Sequence, residues 1–161
     1  AYWPLDETSG TVAGDLSGNG FHGTVVNTTF DAGTVSGKFG CAFQVDGIND
    51  AVVIPNDAAL NPEDAITVSA WIKADTWQSD YWQGSIVSKD GWGAGNTGYA
   101  LRCGENGRLS FALSLGGTWH EALSGQLMTA GAWHHVVGTY DGATIKVYVD
   151  GVGISTHRDA Q

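Results

Sequence analysis

Trp133-His134-His135-Val136-Val137-Gly138-Thr139-Tyr140-Asp141-Gly142-Ala143-Thr144-Ile145-Lys146-Val147-Tyr148-Val149-Asp150-Gly151 is the stretch whose reading decides the fold. Ile145, Val147 and Val149 alternate with Thr144, Lys146 and Tyr148, which gives an extended strand one apolar and one polar face. Asp141-Gly142 separates this run from His134–Tyr140, and Asp-Gly supplies the positive φ that a tight hairpin turn needs. Asp150-Gly151 marks the next strand end. His134 and His135 adjoin in a strand, so their side chains point to opposite faces and do not jointly grip one metal.

The same period recurs on either side. In Ala65–Lys73, the residues Ile66, Val68, Ala70 and Ile72 share one face. In Arg108–Leu115, Leu109, Phe111, Leu113 and Leu115 face inward while Arg108, Ser110 and Ser114 face out. Asn106-Gly107 predicts a second tight hairpin, between Tyr99–Arg102 and Leu109–Leu115, and Asp46-Gly47 ends a further strand. No segment sustains a 3.6-residue apolar period, and a short helical turn is expected only near Asn56–Leu60. Strands with one buried and one solvated face belong to antiparallel sandwiches. The expectation is one all-β domain, an antiparallel two-sheet β-sandwich, over residues 1–161.

Composition agrees. Glycine occurs 24 times and charged residues make up 15%, against roughly 25% in typical domains. Many glycines with few charges suit short strands joined by tight turns. The net charge of −10 and the scattered seven Lys and Arg argue against nucleic-acid binding, and leave divalent cations as the ions such a chain attracts. No apolar run is long enough to span a bilayer, so membrane insertion is not expected. The chain opens on Ala1-Tyr2-Trp3 without methionine or signal peptide, which reads as a mature or trimmed product. Cys41 and Cys103 form either one bridge or two buried thiols.

Two kinds of candidate site stand out. Trp77, Tyr81, Trp82, Trp92 and Trp119 fall in polar, glycine-rich stretches between the expected strands, unlike Trp3, Trp71 and Trp133, which belong to strand segments. Loop aromatics offer flat platforms for the C–H faces of sugars, with Gln78, Asp80, Gln83, Asn96 and Glu121 at hand for hydroxyls. The competing reading is that the rings fold back over an open end of the sandwich. In the Asp15–Gly23 loop, Asp15, Ser17 and Asn19 bring oxygen donors among flexible glycines. That set points to calcium, which takes six to eight oxygens, or to a metal-free glycine turn stabilised by Asp and Asn. Asp46, Asn49, Asp50 and Asp57 form a second oxygen-rich zone that a hairpin turn explains equally.

Catalysis is not expected. A retaining glycosidase needs two carboxylates on one face at short separation. The four glutamates, Glu7, Glu63, Glu105 and Glu121, have no carboxylate two or four positions away inside an expected strand. No nucleophile elbow surrounds a serine.

Several stretches carry a family resemblance. They are Tyr2–Glu7 with Asp15-Leu16-Ser17-Gly18-Asn19-Gly20-Phe21-His22-Gly23, then Gly37-Lys38-Phe39-Gly40-Cys41-Ala42-Phe43-Gln44-Val45-Asp46-Gly47, then Thr67-Val68-Ser69-Ala70-Trp71-Ile72-Lys73, and finally Trp133–Gly142 with Tyr148-Val149-Asp150-Gly151. In this order they resemble the laminin-G-like jelly rolls of the concanavalin A-like lectin/glucanase superfamily. The resemblance implies a jelly roll, a secreted or cell-surface location, and a glycan or cell-surface protein as partner. It also implies a structural calcium carried by Asp15 and Asn19 with nearby carbonyls. It names no ligand. Relatives continue beyond the segment matching Val152–Ser155 with a further pair of strands, the last beside the opening strand at Tyr2–Asp6. A jelly roll lacking its last strands leaves an open edge. A longer polypeptide, or strand complementation by a neighbouring chain, is therefore expected.

Overall fold

The structure is a computed structural model that describes residues 1–80, 82–91, 95, 97–154 and 157–159. They form two compact units, 1–60 and 61–161.

The first unit contains β1 (Val12–Ala13), β2 (Gly23–Val26), a single helical turn α1 (Phe30–Gly33), β3 (Thr34–Ser36), β4 (Cys41–Phe43) and β5 (Ala51–Val53). A 3-10 turn at Ala58–Leu60 stands where the sequence predicts one. The order β1-β2-β5 makes a small antiparallel sheet, and β3-β4 a separate hairpin. Ala13, Val25 and Phe30 are buried together, with Trp3, Leu5, Phe43 and Val52 packed around them. Phe30 meets the Phe43 ring edge-on at 5.0 Å. The opening segment Tyr2–Asp6 belongs to no strand. Pro4 has no N–H to give to a ladder, and Leu5 sits at φ 58, outside extended backbone. Side chains tie this segment down instead: the Trp3 indole N–H donates to the Phe21 carbonyl at 2.7 Å.

The second unit is a sandwich of two antiparallel sheets. Its strands are β6 (Ile66–Ile72), β7 (Gly84–Gly91), β8 (Thr97–Gly104), β9 (Arg108–Leu115), β10 (Thr118–Leu127), β11 (His134–Tyr140), β12 (Ile145–Val149), β13 (Val152–Ile154) and β14 (His157–Asp159). One sheet runs β14-β10-β9-β8-β7 and the other β13-β12-β11-β6. Both predicted hairpins form. Gly138 faces Val147 across the β11–β12 pair, and Arg102 faces Ser110 across β8–β9. The alternation predicted for the strands fills the space between the sheets: Leu101, Leu109, Phe111, Val136, Ile145, Val147 and Val149 are fully buried there. The inward residues of β6 are half-buried, in keeping with an edge strand hydrogen-bonded on one side only among the described residues.

In one respect the β7–β10 sheet departs from expectation. Ser110 was expected to face water, yet it is fully buried, and Ala100, Arg102, Ala112 and Glu121 on the same face are buried with it. This sheet is buried on both faces in its middle, and small residues at Ala100, Ser110 and Ala112 make room for the Arg102 and Glu121 side chains. Cys41 and Cys103 are free thiols, and burial pushes the Cys103 thiol up to about 11.

Gly138 sets the closest approach inside the sandwich. A Cβ built on it would lie 2.3 Å from the Phe111 ring, well inside van der Waals contact. Gly138→Ala must displace a fully buried ring, so a loss of about 1–3 kcal/mol is expected, the usual cost of overpacking. A urea titration showing an unchanged midpoint would contradict this packing.

Candidate functional site

The loop after β1 is organised by Asp15. Its Oδ1 accepts the Tyr2 N–H at 2.8 Å and the Ser17 N–H at 3.0 Å. Its Oδ2 accepts the Ser17 hydroxyl at 2.8 Å and the Phe21 N–H at 3.0 Å. The Ser17 hydroxyl oxygen in turn accepts the Asn19 side-chain amide at 3.0 Å. Burial alone would raise the Asp15 pKa, but the donors from Tyr2, Ser17 and Phe21 outweigh it and hold the carboxyl well below its ordinary range.

As arranged, Asp15 and Asn19 do not fit a calcium ion. A carboxylate offers about four acceptor positions, and Asp15 already receives four donors whose positive ends face where a cation would sit. Glu7 adds one buried oxygen without a partner, Oε2, while its Oε1 takes the Gly14 N–H at 2.6 Å. One such oxygen is far from the six to eight that calcium needs. The hydrogen bonds are those of an Asx turn. Asp46 is similar: its Oδ1 accepts the Ile48 N–H at 2.8 Å and the Asn49 N–H at 3.2 Å, and these donors lower its pKa. No group of three or more His, Cys, Asp or Glu positioned for a metal occurs among the described residues.

The expected aromatic platform disperses. Trp119 lies within β10 rather than on a loop and is 4% exposed. It faces Ser114 across β9, so alternation sets it on the same buried face as Glu121. Trp77 is half-buried and packs onto the core between the sheets. Neither ring is a free loop platform: Trp119 is buried on a strand face and Trp77 packs on the core. Trp82 remains 51% exposed. It projects from a turn ahead of β7 that local hydrogen bonds brace: the Ser79 hydroxyl lies 3.1 Å from Gln83 Oε1, and the Gln83 N–H donates to the Asp80 carbonyl at 3.2 Å. Tyr81, Trp92 and Asn96 lie outside the described residues.

Trp71, which strand packing was expected to explain, stands on the outer face of β6 and is 41% exposed. The sequence carried the signal. With Ile66, Val68, Ala70 and Ile72 inward, the period of two places Trp71 outward. His135 faces it across β11, with ring centroids 5.1 Å apart. His134 turns the other way and is structural. Its Nδ1 lies 2.7 Å from Asp150 Oδ2, and Nε2 is 3.1 Å from both the N and the O of Thr129.

Glu121 sits in a buried polar group. It is buried, its Oε1 receives Arg102 Nη2 at 3.0 Å, and the Ser110 hydroxyl donates to the same oxygen. On β9, Ala112 lies opposite Glu121, and Ser110 opposite Arg102.

A fold of this kind, with two packed antiparallel sheets and strands in this order, defines a jelly-roll binding scaffold. The chain belongs to the concanavalin A-like lectin/glucanases superfamily, whose family model matches residues 46–161. Among solved structures it is similar to an S-layer domain-containing protein (residues 221–444) from Clostridium thermocellum. Identity is 25% and the TM-score 0.60, and the match covers 98% of this chain and 71% of that one. No curated protein matches it.

The saturated Asp15 yields a test with a defined sign. A carboxyl with a depressed folded pKa contributes stability above its unfolded value near 4 and loses it as pH falls toward the folded value. Stability should therefore fall with acidification below about pH 4, and Asp15→Asn should be destabilised at neutral pH with a shallower acid limb. Calcium or a chelator should leave the melting temperature where it is. A clear rise with calcium would show that the loop rearranges to take an ion.

Proposed function

We propose that this is a non-catalytic carbohydrate-binding domain displayed at a cell surface. The observation that carries the reading is Trp82, a half-exposed indole on a turn braced by Ser79, Asp80 and Gln83. An indole held in place offers a face for a sugar ring at little ordering cost, and Gln83 and Asp80 bring polar atoms beside it. A superfamily of lectins and glucanases is the setting in which such a ring is expected to meet a glycan. One feature supports the absence of catalysis: the Glu121 carboxylate is held in a buried ion pair with Arg102 and accepts the Ser110 hydroxyl. The similarity to an S-layer domain-containing protein supports a surface location.

A second reading is adhesion to protein. Phe39 and Ile48, at loop tips of the first unit, are largely exposed, and apolar side chains of this kind suit a protein partner. The regular, uninterrupted edge of β6 supports the same reading, since an added strand from elsewhere in a longer polypeptide or from a neighbouring chain would pair there.

Glycan-array and affinity-gel binding separate the two. The carbohydrate reading expects retention that persists at high salt, because stacking on a neutral ring is not screened. It also expects Trp82→Ala to weaken retention about tenfold, the loss of roughly 1.4 kcal/mol. Unchanged retention in Trp82→Ala would remove the observation on which the reading rests.

A further inference from the structure

The outer face of the β13-β12-β11-β6 sheet is unusual for a solvated sheet surface. Its residues fall into three rows set by the strand register. Trp71 faces His135; Ser69 faces Val137, which faces Tyr148, which faces Gly153; Thr67 faces Thr139, which faces Lys146. The chain carries a net charge of −10, yet none of these nine positions holds a carboxylate. Asp141 and Asp150, in the turns at the ends of β11 and β12, are engaged locally. Asp141 Oδ1 accepts the Ala143 and Thr144 N–H groups, and its Oδ2 lies 3.9 Å from Lys146 Nζ. Asp150 accepts the His135 N–H and lies against His134.

Two of the rings are held in defined poses. His135 supports one side of Trp71 at a tilt of 34°, and because β6 is the last strand of this sheet, the indole stands at the sheet edge. The Tyr148 ring lies down over Gly153: a Cβ there would come within 2.5 Å of its Cε1. Glycine is what lets the phenol lie flat on the sheet. Sheet geometry sets Trp71 and Tyr148 roughly 12 Å apart, with Ser69 and Val137 between them.

We infer that this face is a second carbohydrate-binding surface, built for an uncharged, flat, ribbon-like polysaccharide whose rings are joined through equatorial positions. Aromatic rings spaced across a planar, carboxylate-free lattice match the apolar C–H faces of such a chain. The hydroxyls of Thr67, Ser69 and Thr139 match its edges. With no carboxylate among these positions, and with Lys146 as their single fixed charge, the face in an otherwise acidic molecule offers a basic partner nothing to bind and a neutral chain little to repel. The inference rests on the carbohydrate reading proposed above but uses a different surface, independent of Trp82.

Depletion binding to microcrystalline cellulose and to chitin beads, at low salt and at about 1 M salt, tests it. The intact chain should be depleted by at least one of the two at both salt concentrations. Trp71→Ala and Tyr148→Ala should each weaken binding about tenfold. Ser69→Glu, which removes no ring and changes an exposed strand position, should do the same by placing a charge in the lattice. Melting curves confirm that each variant is folded, and Ser69→Glu carries the test if an aromatic variant is not. Failure of the intact chain to bind either solid overturns the proposal. So does full binding by folded Ser69→Glu. Loss in Trp82→Ala with no change in Ser69→Glu or Trp71→Ala overturns this face and leaves the Trp82 reading standing. The reverse pattern upholds this face and removes Trp82.

Discussion

The contact between Phe111 and the bare backbone of Gly138 is the constraint on which the second unit depends. A fully buried phenyl ring from one sheet rests where the other sheet presents no side chain, so the two layers close over it without a gap. Interiors are packed to crystal-like density, and a ring this large is accommodated only where its opposite number is absent. Around that point Leu101, Leu109, Val136, Val147 and Val149 complete an apolar layer with no polar atom to satisfy. The faces turned away from this layer are consequently released for other uses, and the two sheets use them differently.

On the β7–β10 sheet the other face is also buried and carries charge. Arg102 and Glu121 come from strands on either side of β9, with Ser110 between them, so one ionic group spans three strands. A buried pair of this kind adds little net stability over an apolar filling, but losing one partner is costly because it strands the other charge away from water. Its effect is to hold the register of β8, β9 and β10, since a one-residue slip would carry Arg102 or Glu121 into the apolar layer. The outer face of the β6–β13 sheet stays open, and there the aromatic residues meet solvent.

The fold was legible in the sequence to the extent that alternation encodes it. Ile145, Val147 and Val149 are buried as the period of two required, and Asp-Gly and Asn-Gly turn where turn chemistry demands. The opening segment was not legible as it stands. Its likeness to a strand motif was stronger than its local chemistry, and Pro4 and Leu5 prevail over the motif. The candidate site was harder still. Position between predicted strands marked Trp119 as a loop residue, but β10 begins one residue before it, and a single shift of boundary converts an exposed ring into a buried one. Trp71 shows the opposite error. Its motif suggested packing, while its parity pointed outward. The Asp15 loop held the right atoms for a cation, and only their hydrogen-bond partners, which a sequence does not display, show that three backbone N–H groups and the Ser17 hydroxyl already engage the Asp15 carboxylate.

The placement of β6 at the edge of its sheet bears on the order in which the chain assembles. The hairpin of β11 and β12 closes through a turn of a few residues, and the β8–β9 hairpin does likewise. By contrast, pairing Ile66 with Tyr140 must draw together points separated by most of the second unit's sequence, including β7, β8, β9 and β10 of the opposing sheet. Loop-closure entropy favours the short connections first, and topologies dominated by such distant pairings fold slowly. Until β6 arrives, one flank of β11 stands open with Val136 beside it. The same strand that completes the sheet is thus the natural point of entry for misassembly between nascent copies, and its docking is the step that a folding chain most needs protected.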